Sequence, residues 1–334
     1  MEHRPGLDPA VAQTRLAVRA ALADVRPGAV VVALSGGADS LALAAATAFE
    51  APKRGMTLIS VTVDHGLQPG SDDVAEAAAL QAEDLGFDAR VERVQVGLGA
   101  GPEAAARSAR YEALSRLAAE ADAAAILVGH TLDDQAETVL LGLARGSGAA
   151  SLQGMAAVAD LGGIPLLRPL LGIPRQITRA ACDAQGLQVW DDPQNTDPTF
   201  SRVRVREKVL PVLETELGPG IAEALARTAD QLREDAAAFA EMIDETIEDI
   251  VEHAEAGISV SVAALAANPA ALRNRIIRHV VASEFGQSLT RAQTLEVGRL
   301  VTDWSGQGPI DLPGCRARRA GGRIEFSASG GGPT

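Results

Sequence analysis

Short apolar runs at residues 29–34, 57–63, 89–96, 125–129 and 164–168 alternate with longer helix-forming stretches at 40–50, 72–86, 102–121 and 132–144. Strands that alternate with helices of this length predict βαβ units and a parallel sheet. An amphipathic stretch over 11–24 predicts a leading helix, and a further αβ-like unit covers 173–190. The run Asp191-Asp192-Pro193-Gln194-Asn195-Thr196-Asp197-Pro198 predicts turns, after which a helix restarts near Ser201 and stops near Pro211. Parallel sheets of this kind bind ligands at the carboxyl ends of their strands. The loop at Ser35 and the segments Asp64-His65-Gly66 and Gly129-His130 all fall at such ends.

Gly218-Pro219-Gly220 breaks the pattern, so a boundary is expected at 212–220, giving a first domain over 1–215 and a second over 216–328. The second opens with a helix predicted over 221–256. On it, Phe239, Ile243, Ile247, Ile250 and Ala254 form one apolar stripe at helical spacing, which predicts core, while the acidic row Glu241, Glu245, Glu248, Glu252 and Glu255 predicts a solvated face. Helices near 269–284 and 290–302 and strands near 308–312, 315–319 and 323–327 complete it. Residues 329–334 are expected to be a disordered tail. The predicted class is α/β: a parallel-sheet N-terminal domain and a smaller, mainly helical C-terminal domain ending in short strands.

The 334 residues are 47% hydrophobic but only 3% aromatic, so the core must be aliphatic and alanine-rich. No apolar run is long enough for a membrane span, and the first five residues lack an apolar leader segment, so a cytoplasmic protein is expected. The two cysteines, Cys182 and Cys315, stand too far apart to form a Cys-x-x-Cys pair, and the five histidines show no metal-ligand spacing. The net charge of -14 weighs against a nucleic-acid partner, yet bases cluster at Arg202, Arg204, Arg206 and Lys208, at Arg273, Arg275 and Arg278, and at Arg316, Arg318, Arg319 and Arg323. Each cluster reads as an ordinary solvated face or as part of a basic surface.

Candidate chemistry starts at Ser35-Gly36-Gly37-Ala38-Asp39-Ser40. Two glycines let a backbone turn approach a ligand, and a helix N-terminus behind them favours an anion. Ser35 and Ser40 can donate to phosphate oxygens, and Asp39 can hold a divalent cation. A plain strand-to-helix turn with capping serines is the other reading. No Gly-Lys-Ser/Thr follows, so this is not a Walker loop. Downstream, Gly129-His130-Thr131-Leu132-Asp133-Asp134-Gln135-Ala136-Glu137-Thr138 opens a helix, capped by Thr131 or Asp133, on which Asp134 and Glu137 share a face. They either complement the helix dipole or receive a cation. Arg107 and Tyr111 share a face of another helix, and Arg110 either forks onto an anion or pairs on the surface. His65 and His130 read as ligand contacts or as satisfied loop histidines. Arg145-Gly146-Ser147-Gly148 closes the Glu137 helix as a C-cap and opens a loop toward Gly154.

Ser35 to Ser40 resembles the PP-loop of ATP pyrophosphatases. Joined to Val63-Asp64-His65-Gly66-Leu67, Ala106-Arg107 with Arg110-Tyr111, Gly129 to Thr138, Arg145 to Gly148, Arg168-Pro169-Leu170-Leu171, and Asp192-Pro193 with Asn195 and Arg202, it resembles the tRNA(Ile)-lysidine synthetases in their short two-domain form. The resemblance implies an adenine nucleotide α-hydrolase-like fold and ligation of free L-lysine to the wobble cytidine of an isoleucine tRNA through an adenylated base, with release of pyrophosphate and AMP. It implies ATP on Ser35, Gly36, Gly37, Ala38, Asp39 and Ser40 with His65, Gly129 and His130, and Mg²⁺ on Asp39. Lysine would bind at Asp134 and Glu137, tRNA at Arg145, Arg202 and Arg206, with Asp39, Arg110, Asp134 and Glu137 as the catalytic set. A homodimer is a possible assembly, and no membrane partner is implied. Three rivals remain: a tRNA thiolase, a small-molecule adenylating ligase or amidotransferase, and a nucleotide- or RNA-binding module with an inactive loop. The thiolase chemistry usually needs a catalytic cysteine, and neither Cys182 nor Cys315 is expected near the loop.

Overall fold

The structure, a computed structural model, describes residues 6–66, 70–94, 102–146, 148–254 and 257–329. Residues 1–5, 67–69, 95–101, 147, 255–256 and 330–334 lie outside them, and with them Leu67, Ser147 and the ends of the stretches expected at 89–96 and 221–256. By its contacts the chain divides into two units, Met1–Leu232 and Arg233–Thr334.

The first unit is built on strands β1 (Ala29–Ala33), β2 (Thr57–Asp64), β3 (Asp88–Arg93), β4 (Ala123–Leu127), β5 (Val158–Leu161) and β6 (Ile164–Leu167), in the order β3-β2-β1-β4-β6-β5. All neighbours pair parallel except β5, which runs antiparallel to β6. Its helices are α1 (Pro9–Ala21), α2 (Ala38–Glu50), α3 (Ser71–Asp84), α4 (Pro102–Glu120), α5 (Leu132–Arg145), α6 (Ala149–Leu152), α7 (Arg175–Gln185), α8 (Ser201–Arg204) and α9 (Leu210–Leu217). Successive side chains of β1 serve opposite faces of the sheet. Val30 and Val32 pack in one layer with Val18, Leu41 and Ala181, while Val31 packs in the other with Leu114 and Leu117. Because both faces are covered, the central strands are continuous apolar runs rather than alternating ones. The chain moves outward from β1 through β2 to β3 and returns to β4 on the other side of β1, which makes the carboxyl ends of β1 and β4 the topological switch point, where sheets of this kind bind ligands.

The edge strand β5 was not anticipated. Val158-Ala159-Asp160-Leu161 alternates, and Gly162-Gly163, both at positive φ, turns the chain back into β6. That is a hairpin signal hidden among parallel units. The helix expected to stop near Pro211 instead continues as α9. A π turn over Val205–Val209 precedes it, with Leu210 N–H reaching back to Val205 O. The wider turn supplies the room that a proline ring lacks inside a regular α-helix.

Helix α10 (Ile221–Ile250) carries the chain into the second unit, so the division falls within it, downstream of the glycine break. Glu214 on α9 accepts from Gly220 and Ala222 N–H, which keeps the start of α10 with the first unit. The helix ends at Ile250 rather than 256. Strands β7 (Val251–Ala254) and β8 (Gly257–Ser261) follow, then α11 (Val262–Ala267), α12 (Ala270–Phe285), α13 (Arg291–Thr302), β9 (Ile310–Leu312), β10 (Cys315–Ala320) and β11 (Arg323–Ala328). The antiparallel order is β7-β8-β11-β10-β9. A Cβ on Gly257 would stand 2.0 Å from Phe326 O, so this ladder needs glycine there. The stripe residues Ile243 and Ile250 are buried with Ile276, Val280 and Phe326, as core. Among the described residues, no helix is long and apolar enough to cross a membrane.

One backbone contact brings two candidate loops together. A Cβ on Gly129 would lie 2.9 Å from Asp39 O. Gly129→Ala is expected to destabilise the protein by about 1–3 kcal/mol, as overpacking does, read as a lower midpoint in urea unfolding.

Candidate active site

The Ser35–Ser40 loop leaves β1 and enters α2. Gly36 holds φ 79°, a left-handed value that suits glycine. Gly37 is the N-cap residue and no side chain caps the helix. The serines face each other instead: Ser40 Oγ donates to Gly37 O at 3.0 Å, accepts from Ser35 N–H at 3.1 Å, and lies 3.1 Å from Ser35 Oγ. The first-turn N–H groups are thus free of side-chain competition, as an anion cradle requires.

Asp39 points from this turn to the start of α7. Arg175 Nε donates to Asp39 Oδ2 at 3.2 Å, and Thr178 Oγ1 donates to Asp39 Oδ1. Burial raises the Asp39 pKa above the ordinary aspartate value, with Arg175 and Thr178 opposing it. Helix α5 supplies the other two acids. Thr131 is its N-cap in a capping box with Asp134. Asp134 splits its oxygens: Oδ2 accepts from Thr131 N–H at 2.9 Å, while Oδ1 accepts from Arg175 Nη2 at 2.8 Å. The two readings of this acid therefore hold together, one on each oxygen. Burial pushes the Asp134 pKa upward, but Arg175 and Arg202 outweigh it and hold it below the ordinary range.

Glu137, with a side chain 0% exposed, is gripped from the π turn and the helix before it. Arg202 Nε donates to Oε2 at 2.6 Å, Arg206 Nε to Oε1 at 2.7 Å and Arg206 Nη2 to Oε2 at 3.1 Å. Arg175 Nη1 reaches Oε1 at 3.5 Å, and Arg202 Nη2 also reaches Asp134 Oδ1 at 3.4 Å. Three guanidinium groups thus face three carboxylates. Two of the bases were expected from their cluster, but toward RNA rather than toward Glu137. Arg175 and Thr178 were not anticipated. Their signal was the i, i+3 spacing at the start of a helix that follows the Arg168 to Leu171 segment, and nothing in that local pattern ties them to a loop far upstream.

His65 follows β2 and His130 follows β4. Both ring nitrogens of His65, Nδ1 of His130 and Nε of Arg168, which follows β6, are buried without a hydrogen-bond partner among the described residues. Orphaned buried polar atoms are costly, and four of them at the carboxyl ends of β2, β4 and β6 point to a ligand that satisfies them. Burial, reinforced by the charge of Arg110, lowers the His65 pKa. Arg110 itself is exposed on α4, where Arg107 Nη2 lies 3.4 Å from Tyr111 Oη. Arg145 is exposed at the end of α5, with Gly146 at positive φ as its C-cap. Gln135 anchors the loop beyond it, accepting from Met155 N–H at 2.7 Å and donating to Met155 O at 3.0 Å.

Cys182 requires a correction. It lies against the loop: Sγ donates to Ala38 O at 3.3 Å, because α7 packs on α2. Burial, together with the nearby Asp39 charge, pushes its thiol up to about 12, so it stays protonated and is a poor nucleophile.

Burial lowers the His130 pKa to about 4. The unfolded chain takes up this proton near 6.5 and the folded chain only near 4, so stability must fall as pH drops through that window. His130→Gln is expected to flatten the loss between pH 6.5 and 4, read as unfolding midpoints across a pH series.

Comparison with known proteins fits this arrangement. A PP-loop domain profile matches residues 11–213 and a TilS substrate binding domain profile matches residues 261–325. A tRNA(Ile)-lysidine synthase of Leifsonia xyli is 58% identical over 303 residues, covering 90% of each chain. Those of Streptomyces coelicolor and Thermobifida fusca are 49% and 50% identical, covering 96% and 97% of this chain and 98% and 99% of theirs. A U34-tRNA thiolase from Methanococcus maripaludis has the same fold at 22% identity, with a TM-score of 0.58 over 67% of this chain and 80% of its own. With both domain profiles matched and relatives of this similarity along nearly its whole length, the chain belongs to the tRNA(Ile)-lysidine synthase family.

Proposed function

We propose that this protein ligates free lysine to the wobble cytidine of an isoleucine tRNA at the expense of ATP. The observation that carries the reading is the junction at the carboxyl ends of β1 and β4. There an uncapped helix N-terminus meets three acids, two of them buried, and four orphaned polar nitrogens follow the nearby strands β2, β4 and β6.

The phosphates fit the open N–H groups of the Ser35–Ser40 turn, and the orphaned nitrogens of His65 and His130 fit the polar edges of a nucleotide. Asp39 is the carboxylate that would hold Mg²⁺. Mg²⁺ commonly takes only one or two protein carboxylates and completes its shell with phosphate and water, so one acid beside the phosphate turn would suffice. When bound, Mg²⁺ neutralises phosphate charge. The cytidine carbonyl oxygen attacks the α-phosphorus, the bond to the β-phosphate breaks, and pyrophosphate leaves. Arg110 and Arg168, neither of which has a carboxylate partner among the described residues, would offset charge on the phosphate oxygens. The lysine amine then displaces AMP from the base and loses a proton. Asp134 and Glu137 suit the charged amino acid because the protein itself already uses them to bind cations.

For the tRNA backbone, the basic clusters are no longer equivalent. Arg204 donates to Pro198 O and Thr199 O, Arg316 pairs with Asp311 and Arg318 with Glu325. By contrast Arg275, Arg278 and Arg291 have no carboxylate partner among the described residues, and burial together with their mutual repulsion lowers the Arg278 pKa. These three are proposed as a phosphate-binding face of the second unit.

The central test incubates the protein with ATP, labelled lysine and candidate tRNAs. Label on an isoleucine tRNA with a wobble cytidine is expected; ATP turnover with labelled lysine left free would overturn the reading. Asp39→Asn is expected to abolish pyrophosphate release and to leave tRNA affinity within about twofold. The pair Arg278→Ala and Arg291→Ala is expected to weaken tRNA binding and to flatten its salt dependence by about 0.7–0.9 per lost phosphate contact, read from filter binding across a salt series.

A further inference from the structure

Arg175 occupies a position that no other cation in the cluster shares. Its Nε is on Asp39 at 3.2 Å, its Nη2 on Asp134 at 2.8 Å and its Nη1 on Glu137 at 3.5 Å. One guanidinium therefore spans the acid assigned to the metal and both acids assigned to lysine. Its backbone is fixed at the first turn of α7, where its N–H donates to Asp133 Oδ2 at 2.7 Å. Its guanidinium bonds, by contrast, all go to those three carboxylates. The side chain is 27% exposed, so water can take over its donors if it leaves.

The carboxylates are not equally dependent on it. Glu137 keeps Arg202 and Arg206, Asp39 keeps Thr178, and Asp134 keeps Thr131 and Arg202. Removal of the one guanidinium leaves every acid with a partner. The cluster is thus built so that Arg175 can go and the rest can stay.

We propose that Arg175 is a positioning residue that couples the two small-substrate sites: it stands in for both ligand cations in the free protein, and either ligand expels it from both. This rests on the assignment of Asp39 to the metal-bound nucleotide and of Asp134 and Glu137 to lysine. Asp39 would hold a divalent ion with the same carboxylate that now accepts from Arg175, and the guanidinium, with two positive charges set against it, would have to leave. The acids on α5 are then open to an ammonium group. The first ligand does the work of moving Arg175, and the second finds it already moved, so each must tighten the other by the same factor. Mg²⁺-nucleotide therefore prepares the lysine site before any chemistry, and lysine prepares the nucleotide site in return.

The test is calorimetric titration of the full-length protein with L-lysine, alone and with Mg²⁺ and α,β-methylene-ATP, which cannot be split between the α and β phosphates. In the wild type the nucleotide is expected to tighten lysine binding by about tenfold, within the usual range of site coupling. In Arg175→Gln lysine is expected to bind the free protein nearly as tightly as it binds the wild type with nucleotide, so the ratio falls below about twofold. Arg175→Lys keeps a positive charge but its compact ammonium cannot span three acids, and it too is expected to lose the coupling. Circular dichroism establishes folding, and Arg175→Lys carries the test if Arg175→Gln does not fold. A wild-type ratio near one, or folded variants that keep the wild-type ratio, would overturn the proposal while leaving the lysine site standing. Failure of lysine to bind the wild type under either condition would overturn the site assignment itself, and the coupling with it.

Discussion

Charge compensation in a confined space governs this molecule. Asp39, Asp134 and Glu137 come from two helices that start at neighbouring strand ends, and burial makes three like charges there untenable alone. Arg175, Arg202 and Arg206 resolve it, and they come from the segment after the sheet has been completed. The stretch from 173 to 209 is therefore part of the site as well as a connection. It runs from α7 across the turns at 191–198, where Trp190 N–H donates to Gly36 O, and back to Glu137 through α8 and the π turn.

The same arrangement explains why a protein with a net charge of -14 can serve a polyanion. Much of the positive charge is spent internally or on neighbouring carboxylates and carbonyls. Among the described residues, bases without a carboxylate partner include Arg107, Arg110 and Arg168 around the orphaned histidines in one unit, and Arg275, Arg278 and Arg291 in the other. Local surplus, not total charge, decides where an anion can settle.

Much of this was legible in the chain. The strand-helix alternation and the Ser35–Ser40 turn were readable because a parallel sheet covered on both faces writes continuous apolar runs, and because the downstream segments weigh against a plain capped turn at the glycine pair. The shared face of Asp134 and Glu137 followed from helical spacing. What escaped was non-local or ambiguous at short range. The β5 hairpin and the strands at 251–261 are too short for their alternation to outweigh the helical stretches beside them. Pro211 looked like a stop because sequence spacing alone does not reveal a π turn. Arg202 and Arg206 looked like surface bases because nothing near them announces that Glu137 is their partner, and Arg175 was silent for the same reason. Cys182 was placed away from the loop because it falls within a helix, when packing of α7 on α2 brings it into contact.

The π turn at Val205–Val209 has an evolutionary corollary. By widening one turn it admits Pro211 into a continuing helix and also sets the angle at which Arg206 meets Glu137 beside Arg202. A one-residue deletion there would restore a regular helix, rotate the second guanidinium away from its acid and set the proline ring against the backbone in a single step. Drift in this family should therefore spare the length of that segment even where its side chains change, and a relative that shortened it would have to replace Pro211 and find Glu137 a new counter-charge together.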